Sequence, residues 1–125
     1  MRRFSDIAGT VMRKNTPIID FEIKRGDVVK CELLVNDGLP IEFRFPQPKE
    51  RALALFLDDR VVPETRIGLQ KELKKVGILY FDMDMILHYN CGFSIQDDFW
   101  VRFPDREQDF YELQRRLCKG VIIRK

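Results

Sequence analysis

The chain has 125 residues, 45% of them apolar and ten of them phenylalanine, which is the length of one domain with enough apolar side chains for a continuous core. Its formal charge of +2, from 22 basic and 20 acidic residues, argues against an acidic DNA mimic and does not demand nucleic acid. No apolar run approaches a membrane span, nothing after Met1-Arg2-Arg3 resembles a secretory leader, and three cysteines without CxxC spacing read as thiols in a reducing compartment; a cytoplasmic protein is expected.

A first extended piece is expected at Thr10 to Arg13. In Ile19-Asp20-Phe21-Glu22-Ile23-Lys24 apolar and charged residues alternate, as a half-buried strand requires. Val29, Cys31, Leu33 and Val35 then alternate with Lys30 and Glu32, and Arg25-Gly26-Asp27 between the runs predicts a tight hairpin turn. A second turn at Asn36-Asp37-Gly38 leads to Leu39-Pro40 and a short predicted strand, Ile41 to Phe45. Pro48 suits the first position of a helix with its body at Arg51 to Leu57. A second helix is expected from Glu64 to Val76, with Leu69, Leu73 and Val76 on one face and Gly77 as its left-handed terminator. Asp82 is the expected N-cap of a third, which turns Met83, Ile86 and Leu87 inward and breaks at Asn90 and Gly92. Ser94 and Asp97 have capping-box spacing, ahead of an extended Phe99-Trp100-Val101. Asp105 and Gln108 announce a last helix that buries Phe110, Leu113 and Leu117, with Arg115, Arg116 and Lys119 complementing its dipole. The expected fold is α+β: a single domain, an N-terminal antiparallel sheet of three to four strands followed by three to four helices.

Few residues point to chemistry. Arg25-Gly26-Asp27 resembles an adhesion triplet, but its place between alternating strands accounts for it as a turn. Asp82 and Asp84 form a carboxylate pair without a further ligand at an obvious spacing, so no metal or other cofactor is expected. His88, the one histidine, is four residues from Asp84, which predicts a side-chain pair on a helix surface; no activated serine or cysteine accompanies it. Phosphate-cradling glycine loops and kinase catalytic elements are absent. Arg2, Arg3, Arg13 and Lys14 form one basic cluster, and Arg115, Arg116, Lys119, Arg124 and Lys125 another. Lys71, Lys74 and Lys75 read as a solvated helix face. Phe99 and Trp100 are candidates for a partner anchor, although a large aromatic in an alternating segment more often enters the core.

Three segments together carry a resemblance: the proline-led Pro40-Ile41-Glu42-Phe43-Arg44-Phe45-Pro46, then Val62-Pro63-Glu64-Thr65-Arg66 after the apolar helix, then Gly92-Phe93-Ser94-Ile95-Gln96-Asp97-Asp98-Phe99-Trp100. Over roughly residues 11 to 103 the chain resembles the N-terminal accessory region of HipA-like serine/threonine kinase toxins, without the kinase core. The resemblance implies a small regulator or antitoxin that binds and inhibits such a kinase. It implies a non-catalytic module whose partner-binding residues are drawn from Phe43, Phe45, Arg66, Phe99 and Trp100. Two alternatives fit the small domain without catalytic motifs: an anti-CRISPR-like inhibitor of a host defence nuclease, and a nucleic-acid-binding regulator that uses the basic clusters.

Overall fold

The computed structural model describes residues 4–61, 65–94, 96–106 and 109–117. Expectations placed on Arg2, Arg3, Val62, Pro63, Glu64, Ile95, Gln108, Cys118, Lys119, Arg124 and Lys125, and on the side chains of Arg116 and Leu117, lie outside the described residues.

The alternating first third of the chain forms strands β1 (Ile7–Arg13), β2 (Thr16–Lys24) and β3 (Asp27–Leu33), joined by tight turns. Arg25 and Gly26, both at positive φ, make the β2–β3 connection, which suits the twist of a two-residue hairpin. A fourth strand, β4 (Phe99–Arg102), comes from far along the chain and pairs with β1, giving an antiparallel sheet in the order β3–β2–β1–β4. Helices α1 (Lys49–Asp59), α2 (Leu69–Lys75), α3 (Met83–Asn90) and α4 (Phe110–Leu117) complete the α+β fold.

The expected strand at Ile41 to Phe45 is instead a single 3-10 turn, Ile41–Arg44, in which the Phe43 N–H donates to the Pro40 carbonyl at 3.0 Å. Prolines bracket the segment: Pro40, at φ −55° and ψ 156°, leads into the turn, and Pro46 offers no donor for a ladder beyond Phe45. The second helix is shorter than its apolar periodicity predicts, because Gly68 at φ 80° sits outside helical space and α2 starts after it. Its other end follows expectation. Gly77, at φ 84°, donates to the Lys74 carbonyl at 3.1 Å, and Ile78 donates to Leu73 at 2.8 Å. These are the paired bonds of a Schellman motif, with Leu73 and Ile78 both buried. Asp82 caps α3 as expected, accepting from the Met85 N–H at 3.0 Å. The cap of α4 is Asp109, which accepts from Glu112 N–H at 2.8 Å; the expected cap, Asp105, turns to His88 instead. Ser94 and Asp97 do not form a capping box: Ser94 Oγ accepts from Gln96 N–H and Asp97 Oδ1 from Phe99 N–H, two local turns that lead into β4.

The core lies where the helices meet the sheet. Leu53, Phe56 and Leu57 of α1, Leu69 and Leu73 of α2, and Ile86 and Leu87 of α3 are buried with Val11, Ile19, Phe21, Trp100 and Val101. Each such large side chain contributes about 1.5–3 kcal/mol by leaving water. Asn15 Oδ1 accepts from the Phe110 N–H at 2.9 Å, which ties the β1–β2 turn to α4. At one edge of the sheet the Val101 N–H donates outward to Cys91 O at 2.7 Å, so β4 is partly covered. The β3 edge is open among the described residues. Among the described residues no helix is long and apolar enough to cross a membrane.

Candidate docking cleft

The site is organised around Arg60. It follows α1 as its C-cap residue and is almost wholly buried, at 6% exposure. A buried guanidinium needs a partner for its charge and acceptors for its N–H groups. Here Asp97 accepts a two-pronged contact from Nη1 and Nη2, and the Gly92 carbonyl accepts from Nη1 at 3.3 Å. The guanidinium also lies over the rings of Phe56, at 4.7 Å, and Phe99, at 5.9 Å. Those two rings meet edge to face with centroids 5.9 Å apart. Asn90, fully buried at the end of α3, donates to Arg60 O and accepts from the Gly92 N–H at 2.8 Å. The end of α1, the end of α3 and the start of β4 are thus held as one unit.

Beside this hub a cleft of about 440 Å³ opens between the 3-10 turn and the Asp97–Phe99 segment. Leu39, Pro40 and Ile41 line one wall, Arg60, Asp97 and Phe99 the other, and Arg13 and Arg44 stand at its sides. Two large apolar side chains of the turn region, Ile41 and Phe45, are each 59% exposed. Arg13, Arg44 and Asp98, all cleft residues, make no side-chain hydrogen bond or ion pair with another described residue. Exposed anchors surrounded by unpaired charged side chains have the composition of a recognition surface.

The residues singled out in the sequence meet different fates. Phe45 is exposed, Phe43 is half-buried against the core, and Phe99 lines the cleft. Trp100 is 1% exposed and its Nε1–H donates to the Lys14 carbonyl at 2.6 Å, so it is a core residue and not an exposed anchor. Arg66 stands apart from the cleft, paired with Glu72 at 3.4 Å. Arg60 and Asp97 were missed as a pair; they are 37 residues apart and no local spacing announces them.

His88 does not pair with Asp84. The Asp84 carboxylate accepts from the backbone N–H groups of Ser5 and Asp6 at 3.1 Å, which fastens the start of the chain to α3. His88 Nε2 faces Asp105 at 3.0 Å, and Nδ1 receives Arg106 at 3.3 Å. An arginine can only donate, so the neutral ring carries its proton on Nε2 and gives it to Asp105. For the Asp105 carboxyl, desolvation by neighbouring surface acts upward, but the hydrogen bond and charge of His88, with Arg106, hold it below the ordinary range. The second Arg106 nitrogen lies 3.6 Å from Sγ of Cys91, a residue only 1% exposed. Both ring nitrogens of His88 are therefore engaged in holding α3 to the segment after β4. Cys31 and Cys91 form no disulfide, and burial, with the charge of Glu50, pushes the Cys31 thiol above its ordinary value against the opposing pull of Lys49. Among the described residues no cluster of His, Cys, Asp and Glu has the makings of a metal site.

No family model, no curated protein and no solved structure matches this chain.

Proposed function

We propose that this chain is a non-catalytic interaction module that docks on a partner protein through the cleft and the adjoining 3-10 turn. The observation that carries the reading is exposed Ile41 at one opening with the unpaired charges of Arg13, Arg44 and Asp98, and exposed Phe45 at the end of the adjoining turn. Anchors of this kind are strongest when the backbone beneath them is already ordered, because less entropy is lost on binding. The Arg60–Asp97 hub supplies that order on the wall that faces the turn.

The partner class we name is a HipA-like kinase, with this chain as its small regulator or antitoxin. The support is the resemblance of residues 40–46 and 92–100 to the accessory region of such toxins, together with the cleft that those two segments share. In a fused toxin this surface would be packed within one polypeptide; here it would be buried between two chains, and its occupancy would hold the kinase inactive.

The test is capture of the partner from the native host with the intact chain, beside Phe45→Ala and Arg44→Glu variants as bait. The expected result is a kinase that co-elutes with the intact chain and is lost from both variants. A nuclease in its place would turn the reading to a defence inhibitor. Retention of the same partner by both variants would remove the cleft from the argument.

A further inference from the structure

The geometry points to a second copy of this chain as the occupant of the open β3 edge, in an antiparallel two-fold dimer with Cys31 set against Cys31. This surface is separate from the cleft and does not depend on the docking proposal.

The first reason is the direction of the backbone groups. The Leu34 N–H donates to the Ile18 carbonyl at 2.8 Å across the hairpin. Bonding alternates along an antiparallel ladder, so Glu32, opposite Asp20, and Lys30, opposite Glu22, also turn their backbone groups to β2. The N–H and C=O groups of Cys31 and Leu33 therefore face away from the sheet, and among the described residues nothing pairs with them. An edge of this kind is a template for another strand.

The second reason is charge, which selects both the occupant and the register. Outward-facing groups must meet outward-facing groups, so the register can shift only by steps of two. With Cys31 on the two-fold axis, Lys30 of each copy stands opposite Glu32 of the other, and the regular stretch Lys30 to Leu33 lies beyond the irregularity at Val29. One step in either direction sets Lys30 against Lys30 or Glu32 against Glu32. Cross-strand pairs of opposite charge stabilise and like charges oppose, so the Cys31-centred register alone is complementary. Lys30 and Glu32 are both exposed and make no ion pair with a described residue. Within its own sheet Glu32 stands opposite Asp20, a like-charge pair that a lysine from a second copy would relieve. On the other face, which Leu33 shares with Cys31, Leu33 is 40% exposed, and pairing would withdraw it from water.

The experiment is sedimentation of the intact chain over a wide concentration range, with three variants at these exposed positions. Lys30→Glu and Glu32→Lys each convert two attractive pairs into two repulsive ones, and each is expected to weaken the dimer on the order of tenfold to a hundredfold. Mixing the two variants restores every opposite-charge pair, so a heterodimer of near wild-type affinity is expected; the double swap K30E/E32K should also dimerise with itself. Circular dichroism of each variant verifies that the monomer is folded. A chain that stays monomeric at every concentration overturns the proposal. So does a dimer indifferent to the single reversals, or one that the mixture fails to restore.

Discussion

Two ion pairs join the later part of this chain to its helices, and they are unlike in what they hold. Arg60–Asp97 has side chains 7% and 34% exposed, sits between two phenylalanine rings and is bound further by a carbonyl. His88–Asp105 has side chains 39% and 64% exposed, with one charge that exists only when the imidazole is protonated. In the first the guanidinium is packed away from water and only the carboxylate reaches it; in the second both partners reach water. The difference teaches that a contact of the same type fixes geometry more firmly where solvent is kept from at least one partner.

Breaking the pairs one side at a time sharpens this comparison. Arg60→Ala removes the charge partner of Asp97, the packing between Phe56 and Phe99, and the bond to Gly92, and the expected loss is about 3 kcal/mol, read from the urea midpoint. Asp97→Asn keeps the shape and one acceptor. Because Asp97 is a third exposed, solvent screening holds the expected loss to about 1 kcal/mol. Equal losses from the two would show that the charge, and not the stacked guanidinium, carries the hub. Asp105→Asn is the smallest of the three, a slight fall in midpoint at neutral pH that stays below the loss from Asp97→Asn. Its signature is on the acid side. The folded Asp105 value lies below the unfolded one, so its contribution is complete above the unfolded value of about 3.9 and is lost as pH falls through the folded value. Wild type and variant should therefore converge in acid; a gap that widens as pH falls would reverse the assignment.

Local features were legible in the sequence. The hairpin at Arg25-Gly26, the Schellman end at Gly77 and the Asp82 cap each depend on residues within a few positions of one another, and each stands as read. Where two local signals competed, the sequence misled: the segment bracketed by Pro40 and Pro46 turns despite the alternation of Ile41 to Phe45, and Asp109 supplants Asp105 as a helix cap. Contacts across the fold left no trace. Asp84 is 79 residues from the Ser5 amide it binds, and its spacing to His88 suggested a nearer partner that the structure does not use. The extended character of Phe99-Trp100-Val101 was visible, but its place beside β1 was not, because strand pairing over that separation is decided by the core as a whole. The cleft follows the same rule. Its walls were each noticed, and the arginine that joins them was not.

The burial of Trp100 has a practical consequence. It is the sole tryptophan of the chain, and its indole hydrogen bond reaches from the last strand to the first turn, 86 residues away in sequence. Light emitted by this ring should be blue-shifted in the native protein and move to longer wavelength when the chain's two ends part. Every midpoint forecast above can be followed by that colour change, with no label attached.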